Sequence, residues 1–180
     1  MLTIIVPESE SFDPVTETFF STKEQKLVLE HSLYSIAKWE SKWNKAFLDK
    51  REEKTIEESR DYIKCMTITQ NVDPAIYYAL TDKNYQEITE YMQAPMTATW
   101  FSNDNRPPSR EIITSEVIYY YMTALQIPFE CDKWHLNRLM TLIHVCSEKN
   151  KPPKKMGTKT IMTKNQALNQ LRRQRLGSTG

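Results

Sequence analysis

Apolar residues recur every three or four positions across residues 109–150, which is the spacing of an α-helix. Ile113, Val117 and Tyr120 follow this spacing, and neighbouring apolar residues widen the arc until little of the helix is left for solvent. After Pro128 the same spacing resumes. The pattern predicts an antiparallel helical hairpin whose first helix is central and mostly buried.

Capping residues predict where these two helices begin. Ser109 follows a pair of prolines and is the expected N-cap of the first helix. Asp132 is placed to cap the second helix.

Alternating apolar residues near the start of the chain indicate strands. Leu2–Val6 alternates and is followed by a proline, and two further candidates lie at Val15–Ser21 and Lys26–Glu30. Asp13-Pro14 and Thr22–Gln25 are the expected turns. The pattern predicts a small antiparallel sheet or hairpin over about residues 1–31.

Helical spacing also fills the middle of the chain. The predicted elements are a helix over His31–Phe47, a helix from the capping box Thr55–Glu58 to Thr67, a short helix over Pro74–Leu80 behind Asp73, and a helix over Asp82–Gln93. The expected fold is therefore mainly α: one helical domain over residues 1–150, built on the hairpin, and a basic flexible tail over residues 151–180. Within that tail only Asn165–Leu176 has helical spacing.

Charge is divided unequally between these two parts. The chain has 24 Lys and Arg and 23 Asp and Glu. Eight of the basic residues and none of the acidic ones lie in residues 151–180, so the tail carries +8 and the remainder, with 16 basic and 23 acidic residues, carries −7. The tail is expected to bind nucleic acid phosphates or an acidic protein surface, or to remain a solvated end.

Glycine and cysteine usage narrows the class of protein. All three glycines lie in the tail, which excludes a P-loop, a dinucleotide fingerprint and a nucleophile elbow from residues 1–156. Three widely spaced cysteines fit reduced thiols, and no signal peptide or membrane-spanning run is apparent. We expect an intracellular protein with no membrane contact.

The sequence gives little evidence for a catalytic or metal-binding site. Cys131, His135, His144 and Cys146 form the one grouping of metal-type ligands, but the two histidines are half a turn out of phase on a helix. The glutamate pairs Glu52-Glu53 and Glu57-Glu58 have neighbouring lysines and are expected to be surface charge. No catalytic residue, metal or cofactor is predicted.

Two pairs of aromatic residues are the main candidates for partner binding. Trp39 and Trp43 are four apart on one predicted helix, and they form either a platform for a partner or an anchor in the core. Trp100 and Phe101 lie in a polar loop, where they either fold onto the core or form a contact patch.

The basic cluster of the tail is the second candidate. Arg172, Arg173 and Arg175 lie on the predicted tail helix. The tail has no aromatic residue to stack on bases, so contact with nucleic acid would be limited to phosphates. Binding to a protein, or docking on the body that carries −7, is favoured.

Several segments resemble a family of small proteins from tailed bacteriophages and prophages of the long-tailed siphovirus type. They are LEHSLYSIAKWESKW, YIKCMTITQNVDP, PMTATWF, SREIITSEVIYYYMTALQIPFECDKWHLNRLMTLIHVC and LNQLRRQRLG. The resemblance implies a tail assembly chaperone, a helical protein of the host cytoplasm that coats the tape measure protein and recruits tail tube subunits. It implies no catalytic or cofactor residue.

Two alternatives remain beside this expectation. One is a nucleic-acid-binding phage protein that acts through the basic tail. The other is a permanent virion component at the neck or tail end. Association into a homo-oligomer is a further expected interaction, and an enzyme is the least favoured class.

Overall fold

The computed structural model of the protein describes residues 1–13, 18–49, 51–99, 101, 112–152 and 158–177, without the side chains of residues 11–13, 18–20 and 158–161. The chain divides into two compact units, Met1–Glu148 and Lys149–Gly180. The first unit is mainly helical with a small antiparallel β element at its N-terminus, which confirms the predicted class.

Strands and helices follow one another in a simple order. The strands are β1 (Leu2–Val6), β2 (Ser9–Asp13), β3 (Thr18–Thr22) and β4 (Gln25–Leu29). The α-helices are α1 (Leu33–Trp43), α2 (Ile56–Met66), α3 (Asp82–Gln93), α4 (Ser115–Ala124), α5 (Leu136–Asn150) and α6 (Thr158–Leu176), and 3₁₀ helices lie at Pro74–Tyr78 and Phe129–Lys133.

The four strands form two antiparallel pairs, β1 with β4 and β2 with β3. Val6 pairs with Gln25 and Ser9 with Thr22, so both pairs follow one register across a break at Pro7. Proline has no N–H to give to a ladder, which accounts for the break. The chain does not reverse between β3 and β4, so the predicted turn at Thr22–Gln25 is wrong. β2 was not predicted because its sequence lacks the apolar alternation of a core-facing strand, and it forms through backbone pairing with β3.

Two helices of the first half begin at the predicted caps, and α1 lies within the predicted range His31–Phe47. Thr55 and Glu58 form a capping box on α2, and Asp73 caps the 3₁₀ helix through the N–H of Ala75. α3 has the predicted bounds, and Thr81 and Asn84 form its capping box. These starts were predictable because each cap involves residues within three positions of one another.

The core lies where β1 and β4 meet α1, α2 and the neighbouring helices. Its most completely buried side chains are Ile4, Val6, Leu27, Leu29, Leu33, Ile36, Trp39, Met66, Ile76, Ile118, Met122 and Leu139. Three of them belong to α1. α4 buries one face only, since Ile118 and Met122 are buried while Tyr120 is exposed. The expectation that α4 is buried nearly all round is wrong.

Neither helix of the predicted hairpin begins as expected. Ser109 lies outside the described residues, residues 112–114 are not helical, and α4 starts at Ser115. Asp132 does not cap α5 but lies within a 3₁₀ helix, where its Oδ2 accepts a hydrogen bond from the hydroxyl of Tyr119. The N–H of Asn137 donates instead to Nδ1 of His135 at 3.3 Å.

The C-terminal unit contains α6, which is longer than the helix predicted at Asn165–Leu176. Every described side chain of α6 is exposed, including those of Leu168 and Leu171. The predicted flexibility of residues 151–180 stays a prediction.

Candidate partner-binding surfaces

Trp39 is a core residue. Its side chain is 1% exposed, and its indole N–H donates to the carbonyl oxygen of Glu58 at 2.8 Å. The ring of Phe47 meets it edge-on, with 5.1 Å between centroids. Of the two interpretations of Trp39, the structure shows the core anchor, because a partner cannot reach a ring enclosed on every side.

Trp43 lies next to Trp39 but at the surface. The two rings stack with 6.2 Å between centroids, and the indole N–H of Trp43 donates to Oδ2 of Asp61 at 2.9 Å. Trp43 is half-buried and forms a wall of a pocket of about 380 Å³. We call this the Trp43 pocket; its lining residues are Lys42, Trp43, Glu57, Arg60, Asp61, Lys64, Pro74, Tyr77 and Tyr78.

Glu58, on the same helix as this pocket, was expected to be surface charge and is buried instead. It is 2% exposed, and its Oε1 pairs with the ammonium of Lys45 at 2.6 Å. Its Oε2 accepts the N–H of Thr55 at 2.8 Å. The hydrogen bond from Lys45 keeps the pKa of Glu58 below its ordinary value. Glu58 can be buried because Lys45, in the segment that follows α1, reaches it and pairs with its charge.

A second surface lies between α4 and α5. This groove has a volume of about 760 Å³. We call it the α4–α5 groove; its lining residues are Phe101, Tyr120, Tyr121, Ala124, Leu125, Met140, Thr141, Ile143, His144 and Ser147. Tyr120 is 68% exposed at its edge. The wide apolar arc of α4, which predicted burial, is therefore partly the lining of an open groove.

Phe101 occupies this groove. Its ring stacks on the imidazole of His144, with 3.8 Å between centroids and 27° between planes, and it remains 36% exposed. Nε2 of His144 lies 3.4 Å from Oε1 of Glu148. Trp100, the other aromatic residue predicted for this patch, lies outside the described residues. Phe101 thus combines both alternatives, since it folds onto the body and still presents surface to a partner.

The third candidate surface is α6. The side chains of Arg172, Arg173 and Arg175 are exposed, as is that of Lys164. Leu168 and Leu171 lie among these cations at helical spacing, so one face of α6 mixes apolar and basic side chains.

The grouping of metal-type residues does not form a centre in the described part of the chain. There, no cluster of three or more His, Cys, Asp and Glu side chains is placed to hold a metal ion. Both nitrogens of His135 are in use, since Nε2 lies 3.0 Å from the carbonyl oxygen of Tyr91 and Nδ1 accepts from Asn137. Burial raises the pKa of the Cys131 thiol, which disfavours the thiolate that a metal would need.

A buried polar cluster was missed by sequence reasoning. Nδ1 of His31 lies 2.6 Å from the hydroxyl of Tyr62, and the rings of His31 and His135 meet edge-on at 5.3 Å. Beside them, the hydroxyl of Tyr91 donates to Oε1 of Glu30 at 2.6 Å. Burial, followed by the proximity of His135, lowers the pKa of His31 to about 4. The cluster joins the strand end, α2, α3 and the start of α5.

Comparisons of the chain with protein-family models, with curated proteins and with solved structures found no match. Among the described helices, none combines the length and the apolar character needed to cross a membrane.

Proposed function

We propose that this protein is a bacteriophage tail assembly chaperone, which binds the tape measure protein and the tail tube protein during virion morphogenesis in the host cytoplasm. The proposal rests on the resemblance of several segments to that family and on one structural observation. The observation is the α4–α5 groove, an open apolar surface in which Phe101 and Tyr120 remain exposed.

The character of the groove favours a protein partner. Contiguous exposed apolar surface is uncommon on monomers and marks interaction sites. Aromatic side chains at such sites provide large contact areas and often dominate binding energy. Two helices that flank an apolar groove are suited to receive an amphipathic helix, whose apolar face would cover Tyr121, Leu125 and Met140. A second copy of the chain is a further expected partner.

Co-expression tests the proposal directly. The chain is produced with the tape measure and tail tube proteins encoded by the same phage, and captured after nuclease treatment at low and high salt. Retention of either protein at both salt concentrations supports the proposal. Retention of neither protein, with only nucleic acid bound when the nuclease is omitted and lost at high salt, would overturn it.

Substitutions in the groove should weaken this capture. Tyr120→Ala and Phe101→Ala are each expected to weaken binding of the retained partner by about 30-fold, because hot-spot aromatic residues contribute about 2 kcal/mol or more. Phe129→Ala is the matched control, since Phe129 is 57% exposed and does not line the groove. Surface plasmon resonance measures each affinity. Equal affinity of all three variants would remove the groove from the binding site.

The exposed cations of α6 favour one other candidate function, nucleic acid binding through phosphate contacts. If it holds, replacing Arg172, Arg173 and Arg175 by Gln should lower the salt dependence of duplex DNA binding by about 0.9 in the log–log slope for each phosphate that the variant no longer neutralises. Fluorescence anisotropy with a labelled duplex over a series of salt concentrations measures this slope. An unchanged slope would exclude these three arginines from phosphate binding.

The remaining alternative is a permanent virion component, which would stay in the finished particle instead of leaving after assembly. A chaperone is expected in infected-cell extracts and absent from purified particles. Mass spectrometry of purified virions separates the two, and a stoichiometric presence in the neck or tail would replace the chaperone proposal.

A further inference from the structure

We propose that the Trp43 pocket is a second recognition site, which binds a carboxylate side chain of a partner protein next to an aromatic or apolar residue. The inference rests on the proposed function only in taking the partner to be a protein. It concerns a different surface from the α4–α5 groove, on α1, α2 and the 3₁₀ helix Pro74–Tyr78.

Arg60 is the principal cation of the Trp43 pocket. Its guanidinium carbon lies 4.3 Å from the centroid of the Tyr78 ring, so the aromatic face holds it in place. Its Nε is buried and has no hydrogen-bond partner among the described residues. A buried guanidinium N–H without an acceptor is uncommon in proteins, because desolvation costs free energy that a hydrogen bond normally offsets. A carboxylate bound in the pocket would supply this acceptor after a small rotation of the Arg60 side chain, in the two-pronged geometry that arginine favours.

The other charges of the pocket are arranged around this position. Asp61 is already used, since it accepts from the ammonium of Lys42 and from the indole of Trp43. Lys64 is exposed at the rim and has no ion pair in the described part of the chain. Arg60 and Lys64 are therefore the cations left for a ligand, against one remaining carboxylate, that of Glu57.

The walls of the pocket indicate which kind of residue lies next to the acidic residue in the partner. Trp43 and Tyr78 give aromatic surfaces, and Tyr77 and Pro74 add apolar contact. A volume of about 380 Å³ admits one or two side chains. An acidic residue beside an aromatic or apolar residue matches both the charge and the walls.

A protein carboxylate fits this site better than a nucleic acid phosphate. Glu57 and Asp61 belong to the lining, and the body around the pocket is negatively charged, with −7 over residues 1–150. A polyphosphate backbone would meet this field along its whole length, whereas a single carboxylate brings one negative charge, which Arg60 and Lys64 can offset locally.

Titration with small peptides tests the inference on the intact chain. The probes are acetyl-Glu-Phe-Glu-amide and its matched control acetyl-Gln-Phe-Gln-amide, each raised to about 10 mM, which covers the weak affinity of a single pocket. The readout is the indole N–H signal of Trp43 in ¹H–¹⁵N NMR spectra, assigned by its loss in Trp43→Phe. The glutamate peptide is expected to shift this signal with saturation, and the glutamine peptide to bind about tenfold more weakly.

Variants then assign the interaction to Arg60. Arg60→Met keeps the apolar stem and should lower the affinity for the glutamate peptide about tenfold. Arg60→Lys keeps the charge but lacks the paired donors of the guanidinium, and it should lower this affinity about threefold. Lys83→Met on α3 is the matched control and should bind normally. Lys64→Gln changes an exposed residue at the rim of the same site and is expected to lower the affinity for the glutamate peptide about threefold. It therefore tests the site even if Arg60→Met fails to fold.

Three results would overturn the inference. They are equal affinity for the two peptides, unchanged affinity in Arg60→Met, and a Trp43 shift caused by inorganic phosphate but not by the glutamate peptide. Because the titration contains no phage protein, its failure leaves the co-expression experiment intact. Loss of tape measure capture in Tyr120→Ala, with normal peptide binding, would conversely separate the two surfaces.

Discussion

Glu40→Ala is expected to destabilise the fold by about 3–5 kcal/mol, the largest effect that we predict for an acidic residue of this chain. Glu40 is 7% exposed on α1. Its Oε1 accepts the N–H of Phe47 at 2.8 Å, and its Oε2 accepts the N–H of Ser115 at 2.8 Å. Without the carboxylate, two buried N–H groups are left without acceptors, at about 1–3 kcal/mol each.

The hydrogen bond with Ser115 has a further role, because Ser115 is the first residue of α4 and Thr114 makes no side-chain capping bond. The carboxylate of Glu40 therefore acts as the cap of α4 from another helix, where a negative charge also favours the helix dipole. Glu40→Gln is expected to cost less, about 1.5–3 kcal/mol, since an amide can accept only one of the two hydrogen bonds.

Urea denaturation followed by tryptophan fluorescence measures these changes, and hydrogen exchange at the Ser115 and Phe47 amides localises them. Glu53→Ala is the matched control, an exposed glutamate whose removal should change the stability by less than about 0.5 kcal/mol. If Glu40→Ala cost no more than Glu53→Ala, the capping role assigned to Glu40 would be wrong.

The second large effect is a loss of stability in mild acid. His31 has a pKa of about 4 in the folded protein, and a histidine in an unfolded chain has a pKa of about 6.5. Between these values the unfolded state binds more protons, so protonation favours unfolding. The contribution of His31 is complete above about pH 6.5 and decreases as the pH falls towards 4, which amounts to about 2 kcal/mol lost at pH 5 relative to pH 8.

His135 acts in the same direction, because burial lowers its pKa as well. Glu58 and Glu116 have lowered pKa values, so the stability that they contribute is lost only when unfolded carboxyl groups begin to protonate, mostly below about pH 5. The change in stability between pH 5 and pH 8 therefore comes mainly from His31 and His135.

Urea denaturation at about pH 5 and pH 8, at one ionic strength, tests the prediction. His31→Gln should be less stable than the wild type at pH 8, since the fit with Tyr62 is disturbed, but its stability should change by about 2 kcal/mol less between the two pH values. His144→Gln is a matched substitution outside the cluster. A pH dependence that is the same in wild type and His31→Gln would contradict the assignment.

The elements that sequence reasoning located correctly are those with short-range determinants. The capping box of Thr55 and Glu58, the cap at Asp73 and the bounds of α3 depend on residues three positions apart or fewer. β1 and β4 were recognised from apolar alternation, because one face of each strand enters the core. Local spacing also predicted the mainly helical class.

The misplaced elements depend on partners that are distant in the chain. β2 carries no apolar alternation and exists through pairing with β3. Trp39 and Trp43 share one helix, yet Trp39 packs in the core against Glu58 and Phe47 whereas Trp43 lines a pocket at the surface. The prediction that Glu58 is surface charge is wrong because the approach of Lys45 is not visible in the sequence around Glu58.

The sequence by itself determined the helical class, the starts of α2, α3 and the 3₁₀ helix at Pro74, the glycine-free body and the separation of charge between residues 1–150 and 151–180. It also provides the resemblance on which the proposed function rests. Only the tertiary structure decided that Glu40 caps α4, that two histidines share a buried cluster, and that Phe101 and Arg60 belong to different surfaces. The physical reason is distance along the chain: periodicity and caps act within a few residues, whereas these interactions join segments that meet only when the core forms.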